Sequence, residues 1–368
     1  MTGQPFRWGF AGWLWLSLLC WTALPCSLWA AEAGYDYLLV LPLQHNYYQP
    51  GGPDWLTVRK ASGAAAVLAG PAGLARLPGR WQAELCGGWM SGGRSGLTVA
   101  TEPSGAWPSL AAAKFSWRDL HLGLGWRRVM DVSLSFPDVL NPLALDGALL
   151  VVDQAALGAA WSGIDRLALG VALGLNSFSF DWQGPAGRLA QGEGWAPSLA
   201  ASLEADLGQG FSFAAGFATK SDLSALTEMS DSSLSGTLKL AGTVPPRTRV
   251  ALSFEPEPGF AVSASLELTG WHLSSSGYYE QADYHLGCWM ALIPDRLEAS
   301  FGSYSLKHPL DPFLRRYDEH LQDLYFLSTG LGLRLGPAQL KLAGASSRPL
   351  SGAGLNQSLL AAGISFGR

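Results

Sequence analysis

The pair of side chains best placed to do chemistry in this sequence is His272 and Ser274. Residues two apart in an extended chain share one face, so both share the face of Leu266 and Leu268. A histidine acts as the base for a serine nucleophile when a third group orients its ring. The next residue, Ser275, does not supply such a group. We therefore interpret His272 as the end of a strand before a serine-rich loop, and we predict no catalytic residue.

Other kinds of chemical site are not indicated by the sequence. There is no G-x-S-x-G motif, no phosphate-binding loop and no spacing of Cys or His residues that fits a metal site. The net charge is −5 and Lys and Arg residues do not cluster, which argues against nucleic acid as a partner. We expect no metal, no cofactor and no enzymatic activity.

Composition points to a membrane protein that crosses with strands. Hydrophobic residues make up 48% of the chain and charged residues 14%. Apart from the N-terminal region, no segment reaches the roughly 18 unbroken apolar residues that a membrane-spanning helix needs. Apolar residues divided among many short alternating segments suit a β-barrel, because its closed ladder satisfies every backbone group in lipid.

The N-terminal residues 1–33 are predicted to be a secretory signal peptide. Arg7 precedes the apolar run 8–24, and the small residues Ala31 and Ala33 provide a cleavage site. A retained membrane anchor is the alternative interpretation of this segment.

The clearest strand is the stretch that begins at Phe260. Five residues alternate on one face, where Phe260, Val262, Ala264, Leu266 and Leu268 are predicted to meet lipid. The intervening positions are small or polar and are predicted to face inward. The alternation persists for about ten residues, which matches the 9–11 or so that a membrane-spanning strand requires. Strands of soluble sandwiches usually have about 5–6 residues.

Short turns alternate with long polar connections along residues 81–368, which is typical of outer-membrane barrels. The long connections are predicted at 136–144, 179–196, 219–245, 274–283, 306–323 and 347–356, with weak helical character at 222–230. A two-sheet sandwich would explain the alternation but not this rhythm. Fourteen strands are predicted, at 81–91, 107–117, 120–135, 145–161, 164–178, 197–207, 211–218, 247–254, 260–273, 284–293, 296–305, 324–335, 338–346 and 357–366.

The inward positions of these strands are predicted to line a weakly polar lumen. Small residues such as Ala168, Gly170 and Ala172 recur there, while Arg249 and Glu267 look isolated. A water-filled porin would be expected to carry charged rings at its constriction. Many of the tryptophans fall near strand ends, as expected of the aromatic girdles at the two membrane interfaces.

Residues 34–80 do not alternate, and we expect them to form loops and a short helix that plug the barrel. Within them, residues 64–79 contain Gly70, Pro71, Ala72 and Gly73. This stretch resembles the N-terminal signature of the long-chain fatty-acid transporter (FadL-type) family of outer-membrane proteins. The family typically has an asparagine where this chain has Gly70. The hairpin at 246–271 also resembles one of the family.

The resemblance implies a fourteen-stranded barrel in the outer membrane of a Gram-negative bacterium, with residues 34–80 as its hatch. It further implies passive uptake of a hydrophobic small molecule, such as a fatty acid or an aromatic hydrocarbon. We expect a monomer surrounded by outer-membrane lipid. One alternative is a non-transporting barrel that serves in secretion or surface attachment. A remote alternative is a lipid hydrolase, because outer-membrane phospholipases also have a His and a Ser two apart.

Overall fold

The protein is described by a computed structural model. It describes residues 63–91, 94–95, 100–103, 106–135, 147–184, 187–231, 234–270, 279–307, 323–347, 349–350 and 357–367. Helical structure in these ranges consists of α1 (Ala66–Ala69) and a 3-10 helix (Pro71–Arg76). Among these residues, no helix combines the length and the apolar character needed to cross a bilayer. This finding does not bear on strands that cross as a β-barrel.

Antiparallel strands make up most of the described chain. They are β1 (Trp81–Ser91), β2 (Arg94–Ser95), β3 (Ala100–Pro103), β4 (Ala106–Trp117), β5 (Leu120–Ser135), β6 (Gly147–Ile164), β7 (Leu167–Gly184), β8 (Gly187–Gly208), β9 (Phe211–Ala218), β10 (Ser221–Asp231), β11 (Leu234–Val244), β12 (Arg247–Glu257), β13 (Phe260–Thr269), β14 (Gln281–Ile293), β15 (Leu297–Leu306), β16 (Leu324–Leu335), β17 (Ala338–Ser346) and β18 (Ser358–Gly367).

Fourteen of these strands close into a ring. Its order is β1, β4, β5, β6, β7, β8, β9, β12, β13, β14, β15, β16, β17 and β18, and β18 pairs again with β1. The remaining strands are accessory, since β2 and β3 extend the sheet beside β5, and β10 pairs with β11. The predicted count of fourteen is confirmed. A two-sheet sandwich is excluded, because a single sheet closes on itself.

The two ends of the barrel differ in the length of their connections, as the sequence predicted. At one end the strands are joined by two or three residues, at 118–119, 165–166, 209–210, 258–259, 294–296 and 336–337. These tight turns have positive φ at Arg118, Arg166, Gln209 and Asp295. The turn predicted at 162–163 is placed too early, because a register shift between Trp161 and Ile164 extends β6 to Ile164.

Two predicted loops are wrong. Most of 179–196 belongs to β7 and β8, which continue to Gly184 and begin again at Gly187. Outward residues change there from leucines to Ser177, Ser179 and Asp181, as expected once a strand rises beyond the lipid. The weakly helical stretch at 222–230 lies in β10, because pairing with β11 overrides a weak local preference.

Side-chain exposure confirms the predicted faces. In β7, Leu173 is 68% exposed, whereas the neighbouring Ala172 is 3% exposed. In β13, Val262 and Leu266 are exposed while Ser265 is buried. Closure of the ring gives the backbone groups their hydrogen-bond partners. The apolar side chains that face away from the lumen form a band that suits contact with lipid and not with water. The barrel therefore spans a membrane.

The faces give a direct test. Leu266→Arg places a charge in the apolar band and should lower the free energy of unfolding by about 2–4 kcal/mol if the site lies at the bilayer centre. Ser263→Arg is the matched control, because Ser263 lines a cavity of the lumen. Urea titrations of the protein folded in lipid vesicles measure both effects. Equal destabilisation by the two substitutions would contradict the assigned faces.

Candidate functional site

Residues 63–79 pack against the inner face of the barrel wall. α1 contacts β5 and β6, and the 3-10 helix contacts β5, β6, β7 and β8. Gly70 joins the two helices, and Pro71, Ala72 and Gly73 are buried. The motif identified in the sequence thus lies within the ring of strands. All described residues belong to one compact unit that begins at Gly34.

A glycine-lined patch of the wall makes room for this segment. A Cβ atom at Gly123 would lie 2.8 Å from Leu74, and one at Gly158 would lie 2.8 Å from Val67. At Gly170 a Cβ atom would overlap the backbone of Pro71 and Ala72. These small inward residues were predicted to line a weakly polar lumen. On the side of β5 to β8, residues 63–79 occupy the space that they leave.

Hydrogen bonds from wall side chains hold the backbone of the segment. The Ala72 N–H donates to Ser202 Oγ at 2.8 Å, and the Ala65 N–H donates to Glu84 Oε2 at 3.2 Å. Because buried backbone donors need partners, each hydrogen bond fixes the position of one helix along the barrel axis. Sequence reasoning missed Ser202 and Glu84, since nothing in their own strands indicates what they face.

The end of the segment is held by charged side chains. Lys114, which is 3% exposed, donates from Nζ to the carbonyl oxygens of Leu77 at 2.6 Å and Gly79 at 3.2 Å. Arg76 Nε lies 3.9 Å from Glu204 Oε2. A buried ammonium group is costly unless it is hydrogen-bonded, so Lys114 favours the docked position of the segment.

A cavity lies in the lumen beside this segment, at the short-turn end of the barrel. Its volume is about 1070 Å³. Arg76 and Gly79 border it on the side of the segment. The opposing wall contributes small polar residues, among them Ser253, Ser263 and Ser365. Residues 63–79 therefore do not fill the whole cross-section at this level.

Charged side chains gather further along the lumen. Arg247 Nη1 lies 3.7 Å from Glu267 Oε1. Glu267 also interacts electrostatically with Arg249 and His285 from neighbouring strands, and with Arg127 from β5. Arg249 and Glu267 were predicted to be isolated, and this prediction is wrong. Alternation assigns each residue to a face, but it does not say which distant strands face each other.

The hydrogen bonds of this cluster use only some of the N–H donors of Arg249. Arg127 Nε donates to Gln154 Oε1 at 2.8 Å, and Arg249 Nη2 donates to Ser265 Oγ at 3.2 Å. The buried Nε of Arg249 has no hydrogen-bond partner among the described residues. A guanidinium group with an unused N–H donor can bind an anion.

Among the described residues, the ladder between β4 and β5 is interrupted beside this cluster. β4 pairs with β5 as far as Leu110 and Arg127, and β3 then takes over at Pro103 and Val132. On the opposite flank, the β5–β6 register shifts between Arg128 and Met130. Continuous ladders leave no backbone group unpaired, so this interruption is a weak point in the wall.

Comparison with known proteins was informative at the level of structure only. No protein-family model matches the sequence, and no curated protein matches it. The toluene transporter TbuX of Ralstonia pickettii is 13% identical, with a TM-score of 0.64 over 87% of this chain and 98% of TbuX. A FadL homologue of Pseudomonas aeruginosa is 11% identical, with a TM-score of 0.64 over 87% of this chain and 98% of the homologue.

The toluene transporter TodX of Pseudomonas putida is 14% identical, with a TM-score of 0.61 over 86% of this chain and 96% of TodX. These three alignments cover nearly the whole barrel. The chain has the FadL-type barrel fold. The resemblance drawn from residues 64–79 and from the hairpin at 246–271 is confirmed at this level.

Not every residue singled out in the sequence can be placed in the FadL-type barrel. His272 and Ser274 lie outside the described residues, as do residues 1–62. Neither Cys86 nor Cys288 is part of a disulfide. In the part of the chain that is described, no group of three or more His, Cys, Asp or Glu side chains forms a metal site.

The close approach of Ala72 to Gly170 leads to a prediction about the packed segment. Gly170→Val should displace the 3-10 helix, since overpacking typically costs about 1–3 kcal/mol. Maleimide labelling of Ala72→Cys, in a protein whose native cysteines have been replaced, should then accelerate by roughly tenfold. Gly216→Ala is the control, because an added Cβ there makes only ordinary contacts. Equal labelling rates in both backgrounds would contradict the close packing.

Proposed function

We propose that this protein is an outer-membrane channel for passive uptake of hydrophobic small molecules into a Gram-negative bacterium. The observation that carries the proposal is a closed fourteen-stranded barrel whose lumen contains a helical segment docked on one wall. The FadL-type fold supports it, because TbuX and TodX are toluene transporters. The chain would act as a monomer surrounded by outer-membrane lipid, without catalysis.

The proposal assigns residues 34–80 as the hatch, residues 81–368 as the barrel and residues 1–33 as the signal peptide. The hatch motif is Gly70, Pro71, Ala72 and Gly73. Its support is the burial of the last three of these residues against the wall. Four wall side chains that hold the segment, namely Glu84, Lys114, Ser202 and Glu204, would set how readily the hatch moves.

The driving force for uptake would be removal of apolar surface from water, worth about 25 cal/mol for each Å². A hydrophobic molecule that enters from the long-loop end would meet residues 63–79. From there the molecule can leave through the cavity beside the segment or sideways into the membrane. The interrupted ladder between β4 and β5 is the candidate sideways exit.

Uptake by cells tests the function. A Gram-negative host that lacks its own uptake protein should accumulate labelled toluene or dodecanoate several-fold faster at limiting concentration when it produces this protein. Labelled glucose should enter no faster, since the channel favours apolar solutes. His272→Ala should transport normally, because no catalytic step is involved.

Two outcomes would contradict this function. Folded protein in the outer membrane with no effect on uptake would indicate a barrel for secretion or attachment. Equal acceleration of glucose and toluene would indicate a general porin.

A further inference from the structure

Two arginines lie on the lipid-facing side of the barrel at its short-turn end. The Cζ atom of Arg80 is 5.4 Å from the centroid of the Phe115 ring, and the Cζ atom of Arg118 is 5.7 Å from the centroid of the Trp117 ring. Both rings point outward, since Phe115 is 45% exposed and Trp117 is 62% exposed. The two guanidinium groups are therefore held on the outer surface of the wall.

The backbone places these two arginines beside each other. Phe115 and Trp117 are two apart in β4, which separates their Cα atoms by about 6.6 Å along one face of the strand. The Ser116 N–H donates to the carbonyl oxygen of Arg80 at 2.7 Å, so Arg80 lies opposite the residue between the two rings. Arg118 directly follows Trp117. The two cationic groups thus stand over neighbouring rings of one strand.

The surrounding residues put this pair at the edge of the apolar band. In the β4–β5 ladder Trp117 pairs with Leu120 and Phe115 pairs with Leu122, and both leucines are exposed. On the other flank, Phe115 pairs with Trp81, which is 44% exposed. Trp117 is the last residue of its strand. Aromatic rings at the end of an apolar band lie at the level of the lipid head groups, so both arginines can reach lipid phosphates.

The guanidinium groups of this pair are available to an external anion. Neither Arg80 nor Arg118 forms an ion pair with another residue in the part of the chain that the structure describes. The next residue in the chain, Asp119, interacts electrostatically with His121, which is buried on the lumenal face of β5. An aromatic ring covers one flat side of a guanidinium group, whereas the N–H donors lie in its plane and can bind a phosphate.

We infer that Arg80 and Arg118 form a site for the head group of an anionic phospholipid on the outer surface of the barrel. The arginines bind the phosphate, and the rings of Phe115 and Trp117 orient them and contact the acyl chains. Short turns face the periplasm in outer-membrane barrels, so the lipid belongs to the periplasmic leaflet. The inference does not depend on what the barrel carries, because it concerns the lipid-facing surface alone.

Matched lipids isolate the charge of the head group. Phosphatidylglycerol and phosphatidylcholine with the same acyl chains both carry a phosphate, but the choline cation offsets its charge. Native mass spectrometry of the protein folded in detergent, stripped of lipid and titrated with each of the two, measures the dissociation constants. Phosphatidylglycerol should bind at least about tenfold more tightly, since each arginine near a membrane surface contributes about fivefold.

Variants locate the site. Arg80→Gln and Arg118→Gln should each weaken the binding of phosphatidylglycerol about fivefold, and the double substitution should remove the preference for it over phosphatidylcholine. Arg166→Gln is the matched control. Arg166, like Arg118, is an exposed turn residue with positive φ, but it borders the lumenal cavity. Heat-modifiable migration on gels shows whether each variant is folded.

Each outcome decides for or against the site. Equal affinity of the native protein for the two lipids would overturn it, and so would an unchanged preference in the folded double variant. A loss in Arg166→Gln as large as that in Arg118→Gln would also overturn it, because any arginine at this end would then suffice. Displacement of phosphatidylglycerol by millimolar inorganic phosphate would indicate a general anion site and contradict the lipid assignment. Loss of the preference in the double variant, with Arg166→Gln unchanged, would support the inference.

Discussion

Closure of the backbone hydrogen-bond ladder is the constraint on which the rest of this structure depends. In lipid an unpaired N–H or C=O group costs several kcal/mol, so a sheet that enters the membrane must have no free edge. β18 meets that requirement by pairing with β1 from Gln82 to Ser91. Once the ring is closed, every strand has one lumenal face and one lipid face. Side-chain alternation then determines which residues face the lumen and which face the lipid.

The lumen has two chemically different walls. On the side of β5 to β8, inward glycine and alanine residues allow the backbone of residues 70–73 to approach closely. On the side of β12 to β14, inward arginine, glutamate and histidine residues form a charged cluster that extends towards Arg127. One wall thus holds residues 63–79 by close packing, and the other carries a cluster of charged side chains.

Strand number and face assignment could be predicted from the sequence because both depend on local patterns. Phe260 to Leu268 alternate without interruption, and tight turns recur at regular intervals. The extent of β7 and β8 could not be predicted, since strands beyond the lipid lose their apolar outer face. Pairing of β10 with β11 likewise overrides local preference.

The charged cluster was missed for a different reason. Arg127, Arg249 and Glu267 are far apart in the chain, and each looks like a single charge in its own strand. Only the closed ring brings β5, β12 and β13 to a common lumen. The hydrogen bond between Ala72 and Ser202 has the same origin. Patterns within one strand predict a face, but contacts across the barrel require the complete ladder.

The central claim is that residues 63–79 plug a barrel that would otherwise conduct. Single-channel recording in planar bilayers tests it most directly, by comparing the intact protein with a variant that lacks residues 34–80. The account predicts little or no steady ion conductance for the intact protein, because residues 34–80 together are proposed to close the lumen as its hatch. It predicts large and lasting conductance for the deletion. A large, steady conductance from the intact protein, unchanged by the deletion, would contradict the account.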